Sequence, residues 1–443
     1  MKSELVQIIL IIFLIMPGIA VAQGNASVII VNNSGEGNYT SIQEAVRNAQ
    51  NGDTILVSPG VYRENIKVDK GLTILSYSTL SGSQTDRTYV ISAMPGNAVF
   101  NISAGNVTIE GFHIAGDPSG TDKYGNAGFY LENVQNCTLR DNALMLNDLG
   151  IVLKNSQGNY LEGNLVSLGS KGIMLGNSEN NVLSENLVVK NDQGVSLNNS
   201  FNNTLINNTA DSNEIGIFLE MSQGNKLAYN LILKNKYGIR GQLAGTNVLT
   251  SNNLYLNDVG VHLSDSSNNS LYENEFINAV NAIDEGKNIW NSSSAGNFWG
   301  NHERAEADEN GIIGTPYVIN MTGGAADYMP LINRLSSDDS SQNRNIKGNT
   351  LLTLFNKKYP PIFPGTREKG VVIETTELEQ INKSLEEGPV FLRLGAEWCS
   401  ACQSMKPILD ELAAEYGENI TIMSVNINQN IELATYFDVG YIP

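Results

Sequence analysis

Hydrophobic and polar positions recur with a period of 22 residues from Gly128 to Asn274 of this chain. Each repeat has a glycine, an apolar residue one position later, a leucine eleven positions later and an asparagine fourteen positions later. The glycines are Gly128, Gly150, Gly172, Gly194, Gly216, Gly238 and Gly260; the leucines are Leu139, Leu161, Leu183, Leu205, Leu227, Leu249 and Leu271; the asparagines are Asn142, Asn164, Asn186, Asn208, Asn230, Asn252 and Asn274. So strict a repeat predicts a solenoid in which each unit packs on its neighbours.

Within each unit, short alternating apolar pairs are separated by Asn-Ser or Gly-Asn turns, as in residues 172–175. A period near 22 residues fits either a leucine-rich repeat or a parallel β-helix. No stretch of the unit has ten residues at helical spacing, which favours the β-helix. We therefore predict an all-β solenoid of 22-residue coils, with three short strands per coil stacked at roughly 4.8 Å.

The invariant asparagines are predicted to stack at a bend of the solenoid, where their amides bond to one another and to the neighbouring backbone. We interpret this row as architecture rather than as a ligand site, and the invariant leucines as interior residues. Cys137 stands nine residues after Gly128, where the following coils have asparagine, from Asn159 to Asn269. It is therefore predicted to replace a stacked asparagine and to be chemically idle.

The unpaired strand edges at the two ends of such a stack must be covered by other parts of the protein. Residues 41–49 alternate as a short amphipathic helix, which we predict to be the N-terminal cap, and residues 52–62 are predicted to begin the first coil. This opening, together with residues 296–300, 314–319 and 327–331, resembles the NosD-type copper-binding proteins and archaeal surface proteins. The resemblance implies a right-handed parallel β-helix.

The residues give little support for a metal site. His113, His262 and His302 are far apart in the sequence, and no Met-x-x-Met or His-x-His cluster occurs, so copper binding is not expected. Near the end of the predicted β-helix, residues 308–310 hold only two acids and one asparagine, whereas calcium needs about 6 to 8 oxygen ligands. We expect no metal and no cofactor.

The N-terminal residues 1–22 have the features of a secretory signal peptide. Lys2 is followed by an apolar stretch at residues 8–15, and a small-x-small sequence ends at Ala22, where cleavage is predicted. Glu4 leaves an uncleaved anchor as the alternative. No other segment approaches the roughly 20 apolar residues that span a bilayer. We therefore expect an exported protein, at the cell surface, outside the cell or in the periplasm, with no membrane span after cleavage.

The formal net charge of −19 repels phosphates and disfavours nucleic acid as a partner. Acids that could cut a polysaccharide occupy different offsets in different coils and form no column: Asp148, Glu162, Glu185, Asp192 and Glu220. We interpret them as solvated surface charge, and a composite catalytic site stays open. A face rich in asparagine and tyrosine can equally bind envelope polysaccharide without cutting it.

A redox motif, Trp398-Cys399-Ser400-Ala401-Cys402, lies near the C-terminus. An apolar run at residues 390–394 precedes it and a helical pattern at residues 405–416 follows it, which places Cys399 at the turn into a helix. The helix N-terminus favours the Cys399 thiolate as the attacking group, and Cys402 then resolves the mixed disulfide. A structural zinc site would need four ligands, and a structural disulfide of this spacing closes only a tiny loop.

The residues around the motif resemble the thioredoxin family over residues 370–443. The resemblance rests on residues 395–399, Pro407, residues 426–430 and residues 439–443. It implies an α/β thioredoxin-like domain that exchanges disulfides with exported protein thiols. It also implies that Trp398 and Pro443 bind substrate, with Pro443 in the place of the family's cis-proline.

The sequence departs from that family in two ways. Arg393 stands where the family has a buried acid beneath its second cysteine. It is expected either to stabilise a thiolate or, preferably, to turn its long side chain to the surface. The sequence ends at Pro443, before the family's last two strands and helix, so an incomplete domain is expected.

Residues 334–369 are polar and then proline-rich, and are predicted to link a β-helix at residues 23–333 to the thioredoxin-like domain. The favoured function is an exported thiol–disulfide oxidoreductase on a β-helix that binds envelope glycan or a partner protein. One alternative is a non-catalytic binding or structural surface protein. The other is a copper-handling accessory protein. The residues do not fix the direction of electron transfer.

Overall fold

The computed structural model describes residues 26–81, 87–94, 96–116, 127–302, 306–320, 324–333, 372–375, 380, 384, 390–395, 409–410, 413 and 421–426. The chain divides into two compact units, residues 1–337 and 338–443. The predicted boundaries of the signal peptide, β-helix and linker remain predictions.

The first unit is a parallel β-helix, as the repeat predicts. Within the described residues its strands form three parallel sheets, called here sheets A, B and C, and each complete coil contributes one strand to each sheet. Sheet A contains β1 (Val28–Val31), β2 (Thr54–Val57), β5 (Thr73–Ser76), β8 (Thr108–Glu110), β11 (Thr138–Arg140), β14 (Tyr160–Glu162), β17 (Val182–Ser184), β20 (Thr204–Ile206), β23 (Lys226–Ala228), β26 (Val248–Thr250), β29 (Ser267–Tyr272) and β32 (Lys287–Ile289).

The other two sheets complete the coils. Sheet B contains β3 (Gly60–Arg63), β6 (Thr88–Ile91), β9 (Phe112–Ala115), β12 (Ala143–Met145), β15 (Leu165–Ser167), β18 (Leu187–Val189), β21 (Thr209–Asp211), β24 (Leu231–Leu233), β27 (Asn253–Tyr255), β30 (Glu275–Ile277) and β33 (Phe298–Trp299). Sheet C contains β4 (Ile66–Val68), β7 (Phe100–Ile102), β10 (Ala127–Glu132), β13 (Leu149–Lys154), β16 (Lys171–Gly176), β19 (Gln193–Asn198), β22 (Ile215–Glu220), β25 (Tyr237–Gln242), β28 (Val259–Ser264) and β31 (Val280–Asp284).

The apolar interior follows the repeat because strand residues alternate between the two faces of a sheet. In the coil that starts at Gly216, the side chains of Ile217, Leu219, Leu227 and Ile232 are buried in one continuous core. The invariant leucines lie in the same core in every coil, between 0% and 2% exposed. Their predicted interior position is confirmed.

The invariant glycines are required because neighbouring atoms leave no room for a side chain, and not because of their backbone conformation. A Cβ atom on Gly194 would lie 2.6 Å from the carbonyl oxygen of Gly216, the equivalent glycine of the next coil. Real Cβ atoms do not approach carbonyl oxygens so closely. Larger residues at this position would push neighbouring coils apart.

The coil turns through residues with positive φ, and in the coil of strands β19 to β21 each of these comes directly before a stacked polar side chain. Around one coil they are Asn199 (φ 47°), Asn202 (φ 54°), Asn207 (φ 56°) and Ser212 (φ 56°). Asparagine tolerates this left-handed conformation better than most residues. The high asparagine content of the chain thus reflects its corners as well as its interior rows.

Helix α1 (Ile42–Asn48) forms where the N-terminal cap is predicted, and buries Ile42, Ala45 and Val46 in the core of the first coils. Ser41 is its N-cap residue. The carboxylate of Glu64 accepts hydrogen bonds from Ser41 Oγ at 2.8 Å and from the backbone N of Ile42 at 2.9 Å. A negative group at this position satisfies otherwise unpaired N–H groups of the first helical turn.

Two smaller elements complete the described part of the first unit. Helix α2 (Tyr77–Ser81) follows β5. The antiparallel strands β34 (Tyr317–Asn320) and β35 (Ala325–Asp327) follow the last coils. The β34–β35 pair carries Asp327, which is central to the site described below.

Within its described residues the second unit has a parallel sheet in the order β36 (Ile373–Glu374), β38 (Thr421–Asn426), β37 (Val390–Gly395). Strand β37 coincides with the predicted apolar run. Leu409, Asp410 and Ala413 are helical, within the helix predicted at residues 405–416. Leu409 and Ala413 pack with Ile422 of β38 and with Val372.

Candidate functional site

The invariant asparagine row is a continuous hydrogen-bonded column inside the β-helix. Asn208 Nδ2 donates to Asn230 Oδ1 at 3.0 Å and to Leu183 O at 2.8 Å, while the backbone N of Asn208 donates to the same Asn230 Oδ1 at 2.9 Å. The same pattern repeats from Asn142 to Asn297. Because each amide is bonded to protein on every side, this row stabilises the fold and offers no ligand contact. Its predicted architectural role is confirmed.

Further polar columns run parallel to this row. One continues from Cys137 through the asparagines nine positions after each glycine and ends at Asn288. The sequence analysis did not single out the other two. One contains Asn191, Asn213, Asn235 and Asn257, and one contains Ser156, Ser178, Ser200 and Ser222. Their residues also recur every 22 positions, so the same self-comparison would have found them.

Two asparagine columns end on buried aspartates. Asp327 Oδ2 accepts from the backbone N of Asn297 at 2.7 Å and from Trp299 Nε1 at 2.9 Å. Asp284 ends the neighbouring column, where Oδ1 accepts from Asn288 Nδ2 at 2.7 Å and Oδ2 accepts from Trp290 Nε1 at 2.8 Å. Each carboxylate satisfies donors that have no further coil to bond to. Sequence reasoning included Asp327 only as part of the end motif at residues 327–331 and assigned this role to neither aspartate.

Cys137 replaces an asparagine in its column, as predicted. It is fully buried, its backbone N donates to Asn159 Oδ1 at 2.9 Å, and its Sγ lies 3.4 Å from Ala104 O. Burial raises the pKa of the Cys137 thiol, although the N–H groups of Val107 and Asn106 act in the opposite direction. A protonated, inaccessible thiol is a poor nucleophile, which supports the prediction that Cys137 is chemically idle.

The structure keeps the three histidines apart. His113 is in β9 of sheet B, His262 is in β28 of sheet C, and His302 follows β33. Burial, together with the positive charge of Arg87, lowers the pKa of His113 to about 4. Among the described residues no group of three or more His, Cys, Asp or Glu side chains is arranged to hold a metal ion.

The acids weighed as polysaccharide-cutting residues lie on different sides of the coil. Glu162 is in β14 of sheet A, Glu220 is in β22 of sheet C, and Glu185 is at the corner between sheets A and B. Asp148 and Asp192 precede strands of sheet C. The structure therefore does not bring these five side chains together.

The outer face of sheet C carries a basic and aromatic cluster that we call the Arg240 cluster. Arg240 Cζ lies 5.5 Å from the centre of the Tyr237 ring and 5.8 Å from that of Phe218. The His262 and Tyr237 ring centroids are 5.9 Å apart. Lys236 Nζ lies 5.9 Å from the Tyr237 ring. Phe218, Arg240 and His262 share one offset of the repeat, but sequence reasoning missed the cluster because residue type varies at that offset from coil to coil.

In the second unit Arg393 is buried, and this corrects the preferred expectation that it turns to the surface. Its side chain is 9% exposed, and its Nη1 donates to Ser424 Oγ at 2.9 Å. Arg393 and Ser424 are register partners in β37 and β38, which lets the guanidinium reach the hydroxyl across the sheet. The remaining expectation for Arg393 is that it stabilises a thiolate.

The predicted redox residues Trp398, Cys399, Cys402 and Pro443 lie outside the described residues. Their roles therefore remain predictions. The described residue nearest to Cys399 before the motif is Gly395, the last residue of β37.

Among the described residues no helix is long and apolar enough to cross a membrane.

Comparison with known proteins identifies the family of the β-helix. The family model described as periplasmic copper-binding protein (NosD) matches residues 46–201 and 110–304, which together make up more than half of the chain. The chain belongs to the NosD family. A cell surface glycoprotein of Methanothermus fervidus is 37% identical over 147 residues, which are 32% of this chain and 21% of that protein.

The C-terminal residues match a second family. The thioredoxin family model matches residues 371–443. The thioredoxin of Thiocapsa roseopersicina is 35% identical over 65 residues, which are 15% of this chain and 69% of that protein. A bifunctional thioredoxin reductase/thioredoxin of Mycobacterium leprae is 32% identical over 78 residues, 17% of each chain. The protein is therefore a NosD-type β-helix fused to a thioredoxin-family region, as the two resemblances imply.

Solved structures also resemble the chain. XylC in complex with xylose has a TM-score of 0.48 with 10% identity, and the match covers 61% of this chain and 74% of that one. Pectate lyase Pel9A has a TM-score of 0.41 with 13% identity, and the match covers 74% of this chain and 94% of that one.

Proposed function

We propose that this protein is an exported thiol–disulfide oxidoreductase whose β-helix binds envelope glycan or a partner protein. The observation that carries the proposal is the sequence from Trp398 to Cys402, which lies inside the region matched by the thioredoxin family. The motif begins three residues after strand Val390–Gly395 ends. Two cysteines with two residues between them after such a strand are typical of a redox-active pair.

The proposed location is extracellular or periplasmic. The signal-like residues 1–22 support export, and the relatives named above include a cell surface glycoprotein and a family described as periplasmic. Disulfides persist in such compartments. Protein substrates with disulfides would therefore be within reach.

In the proposed reduction, the Cys399 thiolate attacks one sulfur of a substrate disulfide, and the other substrate sulfur leaves as a thiolate that takes up a proton. Cys402 then loses its proton and attacks Cys399 Sγ, which releases the second substrate sulfur as a thiol. The substrate gains two electrons and two protons, and Cys399 and Cys402 form a disulfide. A dithiol donor must reduce that disulfide again. In the opposite direction the Cys399–Cys402 disulfide oxidises a substrate dithiol.

The proposal can be tested with the full chain and a model protein disulfide. The wild type should turn over insulin disulfides with a small dithiol as reductant, and its reduced form should react with iodoacetamide at pH 6–7 because Cys399 is ionised there. The Cys399→Ser variant should lose both properties, and Cys137→Asn should keep them. Equal turnover by wild type and Cys399→Ser, or alkylation only at alkaline pH, would contradict the proposal.

A second candidate is a surface protein in which the β-helix is the working part. The match to the Methanothermus surface glycoprotein, 37% identical over 147 residues, favours it. Under this reading the Cys399→Ser, Cys402→Ser variant keeps all binding to isolated cell envelopes, and neither wild type nor variant turns over disulfides. If that same variant bound copper tightly, the copper-handling alternative would gain support instead.

A further inference from the structure

Within the Arg240 cluster, Arg240 itself has no acidic partner among the described residues, whereas Lys236 has one. Arg140 pairs with Glu110, Lys154 with Glu132 at 2.8 Å, and Lys236 with Glu214 at 2.9 Å. Among the described residues Arg240 has neither an ion pair nor a hydrogen bond, and its contacts are the two aromatic rings. Its Nε is shielded from solvent without an acceptor.

His262 adds a second unsatisfied group at the same place. It is the register partner of Arg240 in the next coil, so both side chains point outward from sheet C. Neither ring nitrogen has a hydrogen-bond partner among the described residues. The nearest acid, Glu285, has its Oε1 3.7 Å from His262 Nε2, which is too long for a hydrogen bond.

Buried polar groups in native proteins are nearly always bonded to protein, ordered water or a ligand, so the unsatisfied nitrogens of Arg240 and His262 mark a place where a ligand can bind. An unpaired guanidinium is notable in a chain of net charge −19, where acids greatly outnumber bases. The aromatic rings hold Arg240 in place by cation–π contacts, so it is ordered before a ligand arrives. A guanidinium fixed in this way recognises a carboxylate through paired N–H donors.

The neighbouring outward positions are polar. Asn198, Glu220, Gln242 and Ser264 occupy equivalent positions in β19, β22, β25 and β28, and Asn198 Nδ2 donates to the Glu220 carboxylate. These polar groups form a row along the sheet with a repeat of roughly 4.8 Å per coil. Such a row matches an extended chain of hydroxyl-bearing rings better than a compact anion.

We propose that the Arg240 cluster on the outer face of sheet C binds an acidic polysaccharide, with Arg240 and His262 holding a sugar carboxylate. This inference rests on the proposed glycan binding by the β-helix and names its ligand class and site. It does not depend on the thiol chemistry.

The test measures binding of a tetragalacturonate to the full chain by calorimetry. Its fully methyl-esterified form serves as the uncharged ligand, and a hexaglutamate peptide serves as a carboxylate of another class. Arg240→Gln should weaken tetragalacturonate binding about tenfold, or ~1.4 kcal/mol. Lys226→Gln removes the same charge from an exposed position in sheet A, and should change binding less than about twofold.

The outcomes separate this proposal from its alternatives. Equal binding of the methyl ester would exclude carboxylate recognition, and unchanged binding by Arg240→Gln would place the ligand elsewhere. Equally tight binding of hexaglutamate would replace the polysaccharide with an acidic peptide, and no binding of tetragalacturonate to wild type would overturn the site altogether. If Arg240→Gln loses its wild-type circular dichroism, His262→Gln provides the same test, with the same expected loss.

A redox measurement on the same variants distinguishes the two proposals. Arg240→Gln should keep insulin reduction at the wild-type rate, because it changes only the β-helix surface. Cys399→Ser should keep tetragalacturonate binding unchanged. If the redox proposal fails, the polysaccharide-binding measurement can still be interpreted, and the reverse is also true.

Discussion

The carboxylate of Asp327 ends the invariant asparagine column by accepting a 2.7 Å hydrogen bond from the backbone N of Asn297. Every asparagine in the column donates to the oxygen of the next one, so the last member needs an acceptor beyond it. Asp327 supplies one from β35, and the same oxygen also accepts from Trp299 Nε1. An ionised carboxylate has only acceptors, which suits the end of a column of donors.

Replacing Asp327 by alanine is expected to destabilise the β-helix. The substitution leaves the backbone N of Asn297 and Trp299 Nε1 without their acceptor, at about 1–3 kcal/mol for each buried group. The free energy of unfolding, measured by urea titration with tryptophan fluorescence, should fall by about 2–4 kcal/mol. Asp258→Ala, at an exposed position, should have little effect. Equal stability of the two variants would show that Asp327 does not secure this end.

The same carboxyl should make stability depend on pH. Burial raises the pKa of Asp327 above its ordinary value of 3.8, despite the N–H donors from Trp299, Asn297 and Met329. A group whose pKa is higher in the folded state stabilises the fold below the unfolded pKa, and this contribution is lost as pH rises through the folded pKa. Wild type should therefore lose stability relative to Asp327→Asn as the pH rises above the ordinary carboxyl pKa of 3.8. A wild type that instead gains stability relative to Asp327→Asn as the pH rises would contradict the assigned direction.

The repeated part of the fold could be predicted from the sequence because a solenoid repeats its packing every 22 residues. The invariant spacing alone placed Leu205 in the core and Asn208 in a polar column. The N-terminal helix was predictable from local amphipathic alternation, and it forms at Ile42–Asn48, within the predicted range 41–49. All of these features depend on short-range or periodic relationships.

The role of Asp327 was missed because its contact has no period. Asp327 lies 30 residues after Asn297 and belongs to a strand outside the coils, so no offset reveals its role. Phe218, Arg240 and His262 do recur every 22 residues, but the residue type at this offset varies between coils, so the repeat pattern does not mark them as a cluster. Arg393 was expected at the surface because its length and charge favour water, and Ser424 became its partner only through sheet pairing.

Restoring asparagine at the position of Cys137 should be tolerated or stabilising. The new amide could donate to Ala104 O and Gln135 O, which the thiol now contacts at 3.4 and 3.7 Å, and accept from Val107 N–H. Thermal unfolding of Cys137→Asn should match or exceed that of wild type, whereas Cys137→Val, of similar size but without polar atoms, should lose about 1–3 kcal/mol. If Cys137→Asn were less stable than Cys137→Val, position 137 would not belong to the polar column.

Alanine in place of Gly194 should weaken the stack of coils. Its Cβ would lie 2.6 Å from Gly216 O and 3.1 Å from Asn213 Nδ2, and the carbonyl belongs to backbone that is fixed by sheet pairing. Overpacking of this kind typically costs about 1–3 kcal/mol. Gly314→Ala is the matched control, because a Cβ there meets nothing within 4 Å. Urea unfolding should separate the two variants, and equal midpoints would show that the glycine column is not sterically required.

Replacing Arg393 by methionine should raise the pKa of the reactive thiol. Arg393 is two residues from the end of β37, and its face of the sheet includes Ile422, which packs against helical Leu409 and Ala413. A buried cation at this position favours a nearby thiolate, and an opposite charge typically shifts a pKa by about 1–3 units.

The measurement is the thiolate absorbance of the reduced full chain against pH. Arg393→Met should shift the titration of Cys399 upward by roughly 1 unit and slow alkylation at pH 6.5. Arg47→Met changes an exposed arginine of α1 and should leave the titration unchanged. If Arg393→Met titrates like wild type while both reduce insulin, the guanidinium stabilises the sheet through its hydrogen bond to Ser424 and does not affect the thiols.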